Sequence, residues 1–252
     1  MPLAFTRAVS PRIAECALTH LDRQPIDPER AAAQHADYEQ ALADAGLEVI
    51  RLPELIDDPD AVFVEDTAIL LGDHAVITRP GAPSRADEVH STAAGLEPYF
   101  TVHHLPAGVL DGGDVLWVGD RLYVGQSSRT DAAGTKALAG LIAPLGYEVV
   151  PVELGRCLHL KTAVTFAGRG AVLVNPDWVD PAQFAGTEAL PVASDEPFAA
   201  NVVRASGHLI MAAGSPRTAA NLRERGFHVV EVDLSELQKA EAGGTCMSLI
   251  AD

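Results

Sequence analysis

A unit that recurs along the chain constrains its fold more than any other feature. Four segments share one order: a helix start signal, an amphipathic stretch, a glycine and a short β-rich run. They cover residues 27–55, 83–105, 129–154 and 215–234, with a shortened copy at 180–193. A fixed order of this kind marks a repeat architecture. Its punctuation has a physical basis. Asp27-Pro28, Asp180-Pro181 and Ser215-Pro216 each set a side-chain acceptor before a proline at the first helical position. Gly46, Gly146 and Gly226 stand where a chain leaves a helix through positive φ. The runs that follow, at 47–52, 147–152 and 227–232, alternate and are rich in β-branched residues.

Between these units lie pairs of apolar runs around small breaks: Gly72-Asp73, Gly119-Asp120, Gly168-Arg169-Gly170 and Ser206-Gly207. Each break is a hairpin signal. The unit is therefore strand–strand–helix–strand, about five times over. Five such units closing on themselves predict a pseudo-five-fold α/β propeller, with an ordinary mixed α/β sheet as the alternative. No G-x-G-x-x-G follows the first strand, so the nucleotide-binding fingerprint of a Rossmann fold is missing. The 252 residues, 48% of them hydrophobic, are enough for one large domain. We expect a single unit over 1–252.

Charge and cysteine usage narrow the function. The net charge of −17 would repel nucleic acid phosphates, and no Lys/Arg-rich stripe offsets it. It is compatible with a cationic ligand. No apolar run is long enough to span a bilayer. The segment 1–16 has no basic region followed by an apolar stretch and a cleavage site, so no secretion signal is expected. Cys16, Cys157 and Cys246 are odd in number and far apart, which does not suit a disulfide framework and fits a reduced cytoplasm.

Polar groups set in apolar strand context are candidates for chemistry, because their burial is costly without a role. Glu65-Asp66 puts two carboxylates inside such a run. On a strand they would face opposite ways, and an inward acid needs a cationic partner; a solvated strand end is the other reading. Asp111-Gly112-Gly113-Asp114 sets a glycine pair between two acids, either as an Asp-rich turn or as a place where backbone approaches a ligand. His159 lies between two leucines, where a core histidine is the commoner outcome. Cys157 with His159 is a weak two-ligand metal match, and His103-His104 reads as surface. Gly243-Gly244 leads directly to Cys246, which is either a small core residue or a thiol presented by a glycine loop. One Cys, one His and one acid far apart in sequence are what a nucleophile, a proton shuttle and an orienting group require.

The motifs F-V-E-D, R-P-G-A-x-S-R, L-D-G-G-D-V-L, G-x-S-x-R-T, L-H-L-K-T and T-C-x-S, in this order, resemble the dimethylarginine dimethylaminohydrolase family. That family belongs to the guanidine-modifying superfamily with the pentein fold, a five-bladed ββαβ propeller. The resemblance runs from Ala17-Leu18 to Leu249. It implies Cys246 as nucleophile, His159 as general acid/base and Asp111 as third member of the triad. It implies Asp66 as the grip on a guanidinium, with Glu65 in the same pocket. Arg85 and Arg129 are implied as the clamp on a substrate α-carboxylate, and the Leu18 carbonyl and Asp60 as contacts to the α-amino group. The implied reaction converts a methylated arginine to citrulline without metal or organic cofactor. The implied partner is a small cationic amino acid, and a homodimer is the family expectation. Two rivals share the fold: an arginine deiminase, usually longer, and a non-catalytic pentein resembling a ribosome-binding translation initiation factor.

Overall fold

The computed structural model describes residues 1–251. The chain begins with β1 (Leu3–Thr6), α1 (Pro28–Asp44) and β2 (Glu48–Arg51). It continues through β3 (Ala68–Leu71), β4 (His74–Ile77), α2 (Glu88–Leu96) and β5 (Thr101–His104), then β6 (Val115–Val118), β7 (Arg121–Gln126), α3 (Ala132–Ile142) and β8 (Glu148–Glu153). A one-turn helix, α4 (Leu160–Ala163), precedes β9 (Val164–Gly168), β10 (Ala171–Val174) and β11 (Glu188–Pro191). The last part holds β12 (Val202–Ala205), β13 (His208–Ala212), α5 (Pro216–Glu224), β14 (His228–Val232), the short α6 (Ser235–Gln238) and β15 (Leu249–Ala251).

These strands form five sheets of three. In each, a first strand runs antiparallel to a middle strand, which runs parallel to a third. The fifth sheet joins the chain ends: β15 pairs antiparallel with β1, with Phe5 opposite Leu249, and β1 pairs parallel with β2. The first strands meet around a common axis. β9 touches β6 and β12, and β15 touches β3. One cavity is lined by Ile69, Leu116, Phe166, Val203 and Ile250, a residue from each of these five strands. The expected five-bladed ββαβ propeller is therefore the fold. Apolar clusters fill the wedges between sheets; one packs Leu42 and Leu47 against Ile210, Leu234 and Met247. No helix is long and apolar enough to cross a membrane among the described residues.

Local chemistry explains most of the repeat. Asp27 accepts hydrogen bonds from the Glu29 and Arg30 amides and starts α1, and Asp131 accepts from Gly134 and starts α3. Gly46, Gly146 and Gly226 have φ of 91°, 90° and 81°, the left-handed exits expected of them. Three expectations need correction. The Ser215 side chain makes no cap hydrogen bond, so Pro216 alone marks that helix start. In the shortened copy the helix is reduced to a 3-10 turn, Pro181–Gln183, between β10 and β11. Glu65 and Asp66 are not on a strand: Val64–Thr67 is a 3-10 turn, and all four of its residues are buried. A helical turn spaces side chains by about 120° rather than 180°, so adjacent acids both stay inside.

The same device recurs. Each axial strand is preceded by a short turn: Val64–Thr67 before β3, Gly112–Asp114 before β6, α4 before β9, residues 197–200 before β12 and Thr245–Met247 before β15. Glu65, Asp66, Asp111, His159 and Cys246 fall in or beside four of these five turns.

Candidate active site

The turns converge at one end of the axis. Asp66, Asp111, His159 and Cys246 line one small chamber, and Asp60, Arg85 and Arg129 line it too. His159 Nε2 lies 3.0 Å from Asp111 Oδ2, and its Nδ1 lies 3.8 Å from Asp66 Oδ1. His159 is 6% exposed and Asp111 1%. His159 occupies the N-cap of α4 in an extended conformation, not a strand interior, so its ring faces the axis instead of a core. The glycine pair before Asp114 allows this approach. A Cβ on Gly113 would stand 2.7 Å from both Asp66 Oδ1 and His159 Nδ1, and the Gly113 amide donates to Asp66 Oδ1 at 3.1 Å.

Electrostatics separate the two central titratable groups. Burial alone would lower the His159 pKa, but Asp66, the hydrogen bond to Asp111 and Asp114 outweigh it and raise it to about 9. The ring is thus protonated at neutral pH. For Cys246, burial and the carboxylates of Glu65 and Asp66 push the thiol up to about 12, against the Gly243 amide, which donates to Sγ at 3.3 Å. Burial also opposes the charge on Asp66, but His159 and Arg85 hold its carboxyl below the usual range. A resting site with a protonated imidazole and a neutral thiol needs a cationic ligand to make the thiolate. Iodoacetamide labelling of Cys246 without substrate should therefore climb with pH and show no plateau by pH 9. A plateau below pH 8 would contradict this charge balance.

The remaining predicted residues divide. Arg129 donates to Thr19 Oγ1 at 2.9 Å and lines the chamber. Arg85 lines it as well, but its guanidinium is committed to Asp66, to both oxygens of Glu88 and to the Phe63 carbonyl. Asp60 accepts the Ala17 amide on both oxygens, at 3.2 Å each. Leu18 packs, partly buried, against the cluster around Ile13, whereas its neighbour Ala17 reaches the chamber. Glu65 is not among the residues lining the chamber. Its carboxylate pairs with Lys161 Nζ at 2.6 Å and accepts from Thr245 Oγ1 at 2.7 Å, below the floor of the site.

Cys157 does not join His159 as a metal ligand; it is a free, half-buried thiol. Asp66, Asp111 and His159 do bring one donor atom each within 4.8 Å of one another, a spacing a cation accepts. Two of them, His159 and Asp111, are hydrogen-bonded to each other, and Arg85 pairs with Asp66. His104 is exposed as expected, and His103 is half-buried with Nε2 3.0 Å from His74 Nδ1.

Sequence reasoning missed Glu241. It lines the chamber, has a left-handed φ of 62°, and its carboxylate accepts the backbone amides of Thr19, His20 and Leu21. No local pattern encodes this role, because it depends on a strained conformation held by tertiary contacts. Glu241 thus fastens the segment that carries Ala17, Leu18 and Thr19 over the site. Glu241→Ala should raise KM by about tenfold, equivalent to ~1.4 kcal/mol of binding, with a smaller effect on kcat. Steady-state kinetics read the split, and an unchanged KM would deny the segment a part in binding.

Comparison with known proteins follows the same lines. No family model matches the chain. An N(G),N(G)-dimethylarginine dimethylaminohydrolase from Streptomyces coelicolor is 41% identical over 251 residues, covering 98% of this chain and 95% of the relative. A solved structure of the enzyme from Pseudomonas aeruginosa, a cysteine-to-serine mutant complexed with citrulline, superposes with a TM-score of 0.94 at 31% identity over 98% of both chains. The N-terminal domain of ArgZ, a cyanobacterial arginine dihydrolase bound to product, shares the fold with a TM-score of 0.89 at 23% identity, covering 100% of this chain and 97% of that domain. With the fold, the chamber and these relatives in agreement, the chain belongs to the dimethylarginine dimethylaminohydrolase family.

Proposed function

We infer that this chain hydrolyses asymmetric N-methylated arginines, dimethyl and monomethyl, to citrulline and the corresponding methylamine. The observation that carries this is the convergence of Cys246, the His159–Asp111 pair and the Asp66 carboxylate on one chamber with Arg129 beside it. A non-catalytic pentein has no use for that set.

The chemistry follows from the groups. A guanidinium is resonance-stabilised and a poor electrophile, so a carboxylate must hold it and localise its charge; we assign that role to Asp66, which lines the chamber. The cation also lowers the cost of ionising Cys246. The thiolate attacks the central carbon and gives a tetrahedral adduct. His159, already protonated, gives its proton to the departing dimethylamine as the C–N bond breaks. A covalent S-alkylthiouronium remains on Cys246. His159 then takes a proton from water, which adds to the same carbon. Collapse forms the carbonyl, breaks the C–S bond, frees the thiolate and releases citrulline, while the hydroxyl proton is lost to solvent, where the freed dimethylamine takes one up. Asp111 orients the ring and stabilises its charged form. Arg129, with a less committed guanidinium than Arg85, takes the larger share of the substrate α-carboxylate, and Asp60 with the Leu18 carbonyl takes the α-amino group.

Residues 1–252 act as one catalytic domain, working as a homodimer in the cytoplasm. Three free cysteines suit a reducing compartment, and sedimentation of the purified protein reads the dimer. Kinetics on asymmetric dimethylarginine, monomethylarginine and arginine test the substrate. Preferential turnover of plain arginine would replace this reading with an arginine deiminase-like one.

A further inference from the structure

Four of the five turns at the axis carry or follow residues already given a role: Asp66, Asp111, His159 and Cys246. The fifth, residues 197–200 before β12, is followed directly by Asn201, which is 6% exposed. Asn201 is apolar-flanked, buried and fully bonded. Its Nδ2 donates to the Lys161 carbonyl at 2.9 Å and to Thr245 Oγ1 at 3.0 Å, and its Oδ1 accepts the Thr245 amide at 2.8 Å. Only one orientation of the amide satisfies two acceptors and one donor, so the side chain is locked.

The partners of Asn201 are the turns that present the reacting groups. Thr245 directly precedes Cys246, and Lys161 follows His159 by two residues. Thr245 Oγ1 passes the chain on, donating to Glu65 Oε2, whose other oxygen holds Lys161. Asn201 also lies under Gly243. A Cβ there would meet Asn201 Cγ at 2.3 Å, and it is the Gly243 amide that donates to Cys246 Sγ. The glycine before the nucleophile is thus required by the close approach of Asn201; its φ is not left-handed.

We propose that Asn201 is a positioning residue for the hydrolysis: through Thr245 and Gly243 it sets Cys246 against His159, with Glu65 and Lys161 completing a buried hydrogen-bonded ring beneath the chamber. Asn201 does not line the chamber but borders the adjoining cavity that shares Leu158, Thr162, Glu241 and Ala242 with it, so it acts through Thr245 and Gly243 on geometry and not by a contact inside the chamber. This rests on the reading of Cys246 as the nucleophile. It also gives Glu65 a task that suits its place below the floor.

The test is steady-state kinetics on asymmetric dimethylarginine for Asn201→Ala, Thr245→Val and Thr245→Ser, with wild type and Cys246→Ser alongside and folding followed by circular dichroism. A displacement of about 1 Å between reacting groups costs on the order of 100-fold. Asn201→Ala and Thr245→Val should lower kcat by about that factor with KM held within about threefold, and Thr245→Ser, which restores the hydroxyl, should recover most of the loss. The double variant should lose far less than the product of the single losses, because both cut one ring. If Asn201→Ala fails to fold, the Thr245 pair carries the comparison. A folded Thr245→Val or Asn201→Ala with wild-type kcat overturns the proposal, as does a loss that appears in KM instead. Activity in Cys246→Ser would instead strike the reading beneath it.

Discussion

Replacing Cys246 by serine should lower citrulline formation from asymmetric dimethylarginine by at least ~10⁴-fold while leaving the fold intact, since loss of a nucleophile removes the whole covalent route. The substitution changes one atom in a half-buried side chain bonded to the Gly243 amide, so packing is conserved. A serine hydroxyl is far harder to ionise than a thiol, and the carboxylates of Glu65 and Asp66 already oppose a negative charge there. The cationic substrate can offset that opposition for sulfur but not for oxygen. Binding should survive, because the groups that hold the two ends of the substrate are untouched. Calorimetry with dimethylarginine therefore separates loss of chemistry from loss of binding. Turnover close to wild type would remove the nucleophile assignment.

Asp66→Asn should be nearly as damaging, for two reasons that can be measured apart. Asp66 is 5% exposed and meets donors on both oxygens, Arg85 Nη1 on one and the Gly113 amide on the other. An asparagine offers one acceptor and one NH₂, so an N–H must face a donor in either orientation. Breaking a buried charge pair while leaving the partner in place costs about 3–5 kcal/mol. Arg85 keeps Glu88, which puts the expected loss at the lower end. Activity suffers separately. Asp66 is the chief group raising the His159 pKa and is the proposed grip on the guanidinium, so kcat should fall by about 10²–10³-fold, the scale for removing one electrostatic contact in an active site. The basic limb of the pH–rate profile should move to lower pH, because a His159 that no longer faces Asp66 loses its proton sooner. Denaturant melts and pH–rate profiles of the variant check both parts. Wild-type stability with an unmoved profile would contradict them.

How much of this could be read in the chain depends on whether a feature was local. The propeller was, because each unit carries its own punctuation: Asp27 as a cap, Gly46, Gly146 and Gly226 as left-handed exits, and β-branched runs after them. The residues of the proposed triad were marked by their motifs, although spacing alone could not bring Asp111, His159 and Cys246 to one chamber. The turns before the axial strands were not legible. Glu65 and Asp66 stand inside an apolar run, Phe63–Leu71, that reads like a strand, and nothing in the letters shows that Val64–Thr67 winds into a 3-10 turn. That turn decides where Glu65 goes: with Asp66 turned to Arg85 and Gly113, Glu65 faces Lys161 and Thr245 below. Glu241 was hidden because its conformation is imposed from outside its own segment. Asn201 had a signal of a kind, since it stands just before an axial strand, where the other units keep their polar residues. Aligning the units on those strands would have drawn attention to it.

The most direct measurement is intact-protein mass spectrometry of enzyme quenched in acid during turnover of asymmetric dimethylarginine, followed by peptide mapping. The expected result is a substrate-derived mass gain confined to the peptide carrying Cys246, lost once substrate is exhausted and never formed by Cys246→Ser. An adduct on another residue, or citrulline made at the wild-type rate by Cys246→Ser, would contradict covalent catalysis at Cys246.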